Sequence, residues 1–174
     1  MKLSKELHEK LICPETKEKI ILNGDHFEHI VNKFIKYPVI DNIPILINEK
    51  NSIFKLDSFI KKEDTTYELK ENPIKKIFKE YLPRISVNLK AKKNYRYISS
   101  QLKKGSKVLI IGGLEMGEGL NDLYSRKDIE LISTDVALIK ETDVVCDCHD
   151  LPFDEGTFDC VIVQAVLEHV LDPF

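Results

Sequence analysis

Short apolar segments separated by turn or acidic residues dominate the second half of the chain. Such segments are typical of strands that are buried on both faces of a parallel sheet. A helix predicted at 120–124 follows the first of them, so the order of elements favours an α/β fold. The predicted strands are 108–111, 129–134, 143–146 and 158–164.

The first 50 residues show a different pattern, in which short strand-like segments follow one another closely. Asn23-Gly24 is a turn signal between the first two segments, and Asp41-Asn42 precedes the last. The pattern predicts a small β-rich unit over residues 1–50. Its predicted strands are 19–22, 27–31 and 43–47, with the apolar segment 37–40 leading into the last one.

Residues 51–104 are predicted to form a helical link to the third unit, 105–174. Pro83 ends a first helical segment at 74–82. Ser86 is suited to cap a second helix. The apolar stripe of that second helix consists of Leu89, Tyr95, Ile98 and Leu102.

Composition, hydropathy and cysteine content limit the cellular compartments in which the protein is expected. The 174 residues are 43% hydrophobic, which suits a packed core, and no apolar run approaches the roughly 18 residues of a membrane span. The N-terminus lacks the apolar region of a signal peptide, and four cysteines do not suggest a disulfide framework in a chain of this size. We therefore expect a cytoplasmic protein without a membrane partner.

The net charge of −3 is unevenly distributed along the chain. Residues 55–104 carry +8 and residues 105–174 carry −11. Lysines and arginines interleaved with Tyr95 and Tyr97 could face RNA or an acidic substrate. The commoner arrangement is a solvated helical face whose tyrosines pack on the sheet, and we predict that arrangement.

A glycine-rich loop follows the first predicted strand of the third unit. Glycine permits positive φ and lets a ligand approach the backbone closely. A strand that ends in such a loop and leads into a helix is the cofactor turn of doubly wound folds. About 20 residues further on, Asp135 ends the second strand, where an acidic residue can bind both ribose hydroxyls of a nucleoside. The loop glycines are Gly112, Gly113, Gly117 and Gly119.

The last 30 residues contain three spaced motifs in a fixed order. They are Asp147 with Leu151-Pro152-Phe153, then Phe158-Asp159 with Val161, then Val166-Leu167-Glu168-His169-Val170. Together with the glycine loop, this succession resembles the class I S-adenosylmethionine-dependent methyltransferases. The resemblance covers residues from about 90 to the end of the chain.

The resemblance implies a set of cofactor-binding residues. The backbone of the four loop glycines would lie against the methionine part of S-adenosylmethionine, and Asp135 would hold the ribose. Asp147 and the backbone of Cys148 would read the amino edge of the adenine. Gln164 would line the methyl-donor pocket. Glu168 and His169 are favoured as packing residues, and His169 is the better catalytic candidate of the two.

Three departures from the family pattern predict weakened or altered cofactor binding. Leu114-Glu115-Met116 make the glycine loop longer than usual, between Gly113 and Gly117. Ile110 stands where the first strand usually carries an acidic residue. Asp147 follows Asp135 by only twelve positions, which is too short for the usual helix between those strands. We therefore expect an abbreviated crossover there.

Residues 1–50 contain LICPETKEKI followed by YPVIDNIPILI, and these segments resemble the zinc-ribbon-like domain of the tRNA-methyltransferase activator family. A structural zinc requires four ligands, but Cys13 stands alone and Thr16 occupies its partner's place. Cys13, His26 and His29 offer only three ligands at unfamiliar spacing. We predict that the protein has no metal site.

A second group of residues, 146–149, is also metal-like in sequence. It reads Cys-Asp-Cys-His. Neighbouring residues of a strand point to opposite faces, and we predict on that ground that the group does not bind a metal.

The sequence as a whole predicts a truncated class I methyltransferase. The family sheet has seven strands in the order 3-2-1-4-5-7-6, and the first four are expected before Phe174, forming a partial Rossmann-like sheet. The exposed edge of the fourth strand predicts a homo-oligomer. The methyl acceptor stays open between RNA, a small metabolite and a glycan precursor. The alternatives are a non-catalytic binding module and, less favoured, a nicotinamide-binding fold.

Overall fold

The computed structural model describes residues 3–61, 89–112, 120–163 and 166. The helices in these ranges are α1 (Lys5–Glu9), α2 (Leu56–Ile60), α3 (Leu89–Gln101) and α4 (Asn121–Tyr124). The predicted helix at 74–82 and its neighbour's cap at Ser86 lie outside the described residues. No helix in the described ranges is long and apolar enough to cross a membrane.

An antiparallel sheet forms the N-terminal unit, with its strands in sequence order. The strands are β1 (Ile20–Asn23), β2 (His26–His29), β3 (Lys36–Ile40) and β4 (Ile43–Pro44). Gly24 and Asp25 connect β1 to β2, so the first turn lies one residue later than predicted. Asp41 and Asn42 connect β3 to β4, both at positive φ, which is typical of a tight hairpin.

A parallel sheet forms the second half of the chain, and all four predicted strands are present. They are β5 (Lys107–Ile111), β6 (Glu130–Asp135), β7 (Val144–Val145) and β8 (Cys160–Val163). Their spatial order is β7-β6-β5-β8. This order matches the one expected for the first four strands, and it confirms the prediction of a mixed α/β chain.

Residues of the predicted second helix pack against this sheet. Tyr95 is buried against Val108 and Ile110 of β5, with Ile98 partly buried beside it. The prediction that both tyrosines pack on the sheet is wrong for Tyr97, which is exposed. Residues two apart on a helix face different directions, so only one of the two can lie on the stripe.

The crossover between β6 and β7 spans residues 136–143 and contains no helix, as its length predicted. Side-chain hydrogen bonds hold it instead. The Thr142 hydroxyl donates to the Ala137 carbonyl oxygen at 2.9 Å, and Ser133 N donates to the Asp143 carboxylate at 2.9 Å. The short connection therefore keeps β7 in parallel register beside β6.

The two sheets are joined by backbone pairing at the edge of β7. Ile45 forms a parallel bridge with Val145, and Leu46 N donates to the Val145 carbonyl oxygen at 2.8 Å. Ile12 N donates to the Pro152 carbonyl oxygen at 3.0 Å on the same side of the molecule. The chain after β4 thus supplies the neighbour that β7 would otherwise lack.

A common hydrophobic core lies between the N-terminal unit and the parallel sheet. Leu7, Leu11 and Leu46 from the first unit are fully buried in it. A small β unit of about 50 residues buries too little surface to be stable alone, so this shared packing is expected to support it. The core residues from the parallel sheet and the segment after it are Leu109, Ile111, Ile132, Val144 and Cys146.

β8 pairs with β5 on one side, and the described residues place no strand on its other side. Val161 and Val163 on this strand are exposed. Self-association through this edge stays a prediction.

Candidate functional site

Three residues predicted to bind a cofactor lie at neighbouring strand ends. Gly112 directly follows β5, adopts a φ of 75°, and donates its N–H to the Thr134 carbonyl oxygen at 2.9 Å. Asp135 is the last residue of β6 and stands opposite Val145 of β7. Asp147 lies two residues beyond Val145. Because the carboxyl ends of parallel strands meet at one edge, these residues lie along the same edge of the sheet, where α/β folds generally bind ligands.

The turn that follows β6 orients the carboxylate of Asp135. Its Oδ1 accepts a hydrogen bond from Ala137 N at 3.0 Å, and its carbonyl oxygen accepts one from Cys146 N at 3.0 Å. Only 8% of the residue is exposed. The side chain is therefore held at the sheet edge and largely shielded from bulk water.

Asp147 is equally buried and accepts hydrogen bonds from two parts of the chain. Its Oδ1 accepts from His149 N at 3.1 Å and from the His149 ring Nδ1 at 2.7 Å. Its Oδ2 accepts from the Ser52 hydroxyl at 2.6 Å. Burial by itself raises the pKa of Asp147, but the hydrogen bonds from Ser52 and then His149 outweigh it and hold the pKa below its ordinary value. The group is thus a carboxylate at neutral pH.

The Ser52 contact belongs to a larger set of bonds between the N-terminal unit and the 3-10 helical turn Cys148–Asp150. The Asp150 carboxylate accepts from the side-chain amides of Asn48 at 3.0 Å and Asn51 at 2.9 Å, and from Lys17 at 3.3 Å. We call Lys17, Asn48, Asn51 and Ser52 the clamp. Sequence reasoning missed the clamp, because its residues lie about a hundred positions from their partners and form no local pattern.

The metal-like group 146–149 does not have the geometry assumed from its sequence. The argument that neighbours alternate between the faces of a strand was wrong, because β7 ends at Val145 and residues 148–150 form a helical turn. One ligand atom each from Asp147, Cys148 and His149 lies within 4.8 Å of the others. The His149 Nδ1 and the Asp147 carboxylate already bond to each other, while the Cys146 thiol is buried, which raises its pKa.

The remaining predicted site residues are distributed as follows. Cys148 is half-buried in the helical turn directly after Asp147. Ile110 is buried in the core between α3 and the sheet. Gly113, Gly117, Gly119, Gln164, Glu168 and His169 lie outside the described residues.

The candidate zinc ligands in the N-terminal unit include Cys13 and His29, and both take part in hydrogen bonds. The Cys13 thiol lies 3.2 Å from the Tyr37 hydroxyl, and the Thr16 hydroxyl lies 3.0 Å from Nε2 of His29. Nδ1 of His29 accepts from the backbone N–H of Val31 and Asn32. His29 must therefore carry its proton on Nε2, which donates toward Glu18 at 2.7 Å.

This network predicts that the N-terminal unit keeps its fold without a metal. We expect purified protein to contain less than one zinc per chain by elemental analysis. Treatment with a chelator should leave the melting temperature unchanged, because hydrogen bonds occupy the ligand positions. One zinc per chain that is released together with the fold would contradict the prediction.

Comparison with known families finds one match, in the second half of the chain. Residues 124–174 match the family model of a methyltransferase domain. The matched segment contains Asp135, Asp147, Cys148 and Gln164, whereas the loop glycines precede it. The match supports a methyltransferase domain in this part of the chain. No curated protein matches the chain.

Proposed function

We propose that this chain binds S-adenosylmethionine at the carboxyl edge of its parallel sheet and takes part in methyl transfer. The observation that carries the proposal is the row formed by Gly112, Asp135 and Asp147 at three neighbouring strand ends. The methyltransferase-domain match covers two of these three positions. The strand order around β5 also supports this proposal. The order in which successive strands are added to the sheet changes direction between β5 and β8, and α/β sheets bind ligands at such a switch point.

The residues fit the nucleoside part of this cofactor. A carboxylate offers about four lone-pair sites. Within the described part of the chain, three hydrogen bonds reach Asp147, which leaves about one acceptor site for an adenine amino group. Asp135, fixed by the N–H of Ala137, would accept from the ribose hydroxyls. Both carboxylates are shielded, so water competes weakly for them.

When bound, the cofactor supplies a sulfonium methyl group, and such enzymes act mainly by in-line positioning of the acceptor. In this proposal Asp135 and Asp147 fix the nucleoside and the backbone at Gly112 approaches it closely. The acceptor stays open between RNA, a small metabolite and a glycan precursor. The described residues do not identify a general base.

Ile110 favours a second candidate function. The family places an acidic residue at this point of the first strand, and here the side chain is apolar and buried. A chain that has lost one polar contact to the cofactor could serve as a binding module rather than as an enzyme. Binding without turnover of any methyl acceptor would support this alternative.

We also propose that the N-terminal unit descends from a zinc ribbon related to the tRNA-methyltransferase activator family. Its support is the antiparallel hairpin pair, together with Cys13 and Thr16 at the place of a ligand pair. Thr16 N donates toward the Cys13 sulfur at 3.4 Å, a contact that would hold this turn together in place of an ion.

Asp135→Ala tests the proposed cofactor site. We expect calorimetric titration with S-adenosylhomocysteine to show binding to the unmodified chain, and the variant to lose about 1–3 kcal/mol of binding free energy with its charged acceptor. Asp57→Ala, which removes an exposed carboxylate on α2, should bind as the unmodified chain does. Folded protein that binds neither S-adenosylhomocysteine nor S-adenosylmethionine at millimolar concentration would refute the proposal, and NAD serves as the competing ligand.

A further inference from the structure

The turn that follows the N-terminal unit reaches the proposed adenine site through one contact between buried residues. The Ser52 hydroxyl and the Asp147 carboxylate lie 2.6 Å apart, and both residues are buried. The same hydroxyl accepts a hydrogen bond from Phe54 N at 3.3 Å. An ionised carboxylate can only accept, so the Ser52 hydroxyl donates its one proton to Asp147 and accepts from Phe54 N with a lone pair.

The backbone around Ser52 is also held in place. Ser52 N donates to the Asn48 carbonyl oxygen at 2.9 Å, and the Asn48 side chain accepts from Lys50 N at 3.1 Å. This turn follows directly after Leu46, which pairs with the edge of β7. The serine is therefore positioned by the same pairing that joins the two sheets, and it arrives at the strand end where Asp147 lies.

We infer that Ser52 is a positioning residue for adenine recognition, which it serves by fixing the orientation of the Asp147 carboxylate. This inference rests on the proposed function. Ser52 holds Oδ2 while His149 holds Oδ1, so the plane of the carboxylate cannot rotate. The remaining acceptor site then points in one direction. The turn after the N-terminal unit thereby becomes part of the ligand site of the methyltransferase-like half.

The hydrogen bond from Ser52 also stabilises the charged form of Asp147, and this effect supports the same role. The Ser52 hydrogen bond is the largest of the interactions that lower the pKa of Asp147 against the cost of burial. Loss of the hydroxyl would leave Oδ2 without this donor, so the carboxylate would be oriented only through Oδ1 and less strongly held in its charged form. Both changes would make the Asp147 carboxylate a weaker acceptor for the adenine amino group. Neither would affect the binding of ligand groups that do not contact Asp147.

The test compares two ligands in calorimetric titrations of the full chain. They are S-adenosylhomocysteine and its 6-desamino analogue, which lacks the amino group but is otherwise the same. For Ser52→Ala we expect affinity for S-adenosylhomocysteine to fall by about tenfold, the usual effect of one hydrogen bond to a charged group. Affinity for the 6-desamino analogue should not change. Ser52→Thr, which keeps the hydroxyl, should retain the affinity of the unmodified chain.

Asn51→Ala is the control for a loosened turn. It removes a bond from the same turn to Asp150 and leaves Asp147 untouched. If Asn51→Ala reproduces the loss, or if Ser52→Ala weakens both ligands equally, Ser52 only holds the turn and the inference is wrong. If Ser52→Ala does not fold, Ser52→Cys, with a similar size and a weaker donor, should show the same selective loss.

The outcomes for the inference and for the proposed function can be told apart. Unmodified protein that binds S-adenosylhomocysteine, with Ser52→Ala binding equally well, overturns the inference and leaves the proposed function in place. Unmodified, folded protein that binds neither ligand overturns the proposed function, and the inference with it.

Discussion

Leu46→Ala is expected to destabilise the N-terminal unit and the parallel sheet together, by about 2–5 kcal/mol, the usual range for a fully buried leucine. Leu46 is completely buried in the core that both units share. The cavity would therefore weaken packing on both sides. Because the Leu46 backbone also pairs with Val145, we expect a single unfolding transition rather than two.

Urea unfolding followed by circular dichroism, with hydrogen exchange to report on each unit, measures this effect. Leu22→Ala is the matched control, since Leu22 lies on β1 with nearly half of its surface exposed. It should change the free energy of unfolding by much less. A Leu46→Ala variant whose N-terminal unit melts separately, with the parallel sheet as stable as before, would contradict the shared core.

The strands of the parallel sheet could be predicted because each of them is encoded by a run of neighbouring residues. The first run, Val108–Ile111, is apolar on both faces and is followed by a glycine, and the next two predicted strands are each followed by an aspartate. The same pattern predicted that Asp135 lies at the end of its strand, because the residue that ends a strand is known once the strand has been assigned. The absence of a helix between β6 and β7 followed from length alone. These features need no knowledge of distant contacts.

The clamp could not be predicted, because a hydrogen bond such as Ser52 to Asp147 joins residues 95 positions apart. Ser52 lies in a polar segment that reads as an ordinary surface turn. The shared core was missed for a related reason. A change of pattern near residue 50 marks a change of local structure, and it carries no information about whether the apolar faces on either side of it meet.

The reasoning about residues 146–149 went wrong at a strand boundary. Alternation between faces holds only while the chain is extended, and the chain leaves β7 after Val145. Boundaries are decided by competing hydrogen bonds, here the capping of the helical turn by Asp147. Tyr97 shows the same limit in a helix, where a stripe predicts which residues can be buried and the neighbouring elements decide how wide it is.

Phe27→Ala should be the most destabilising substitution in the N-terminal unit, at about 3–5 kcal/mol. The ring is 1% exposed and stands at the centre of the antiparallel sheet, opposite Leu22 of β1 and Tyr37 of β3. Its edge meets the ring of His8 on α1, with centroids 6.3 Å apart. Removal of the phenyl ring would therefore open the contact between α1 and the sheet.

The pKa of His8 provides a second measurement of the cavity that Phe27→Ala would create. Nε2 of His8 is buried without a hydrogen-bond partner among the described residues, and burial lowers its pKa. In the native chain the unfolded state thus takes up a proton at a higher pH than the folded state does. Stability should fall as the pH drops below about 6.5, the ordinary value for histidine, toward the lower pKa of the folded state.

In Phe27→Ala, water that enters the cavity would reach His8 and bring its pKa back toward the ordinary value. The variant should therefore be less stable than the unmodified chain at neutral pH. Its free energy of unfolding should also decrease less as the pH falls below about 6.5. Phe34→Ala is the matched control, since Phe34 is 96% exposed and should leave both quantities unchanged. NMR titration of His8 and urea unfolding at several pH values measure the two effects. A His8 pKa that stays low in a destabilised Phe27→Ala variant would mean that the cavity collapses and remains dry.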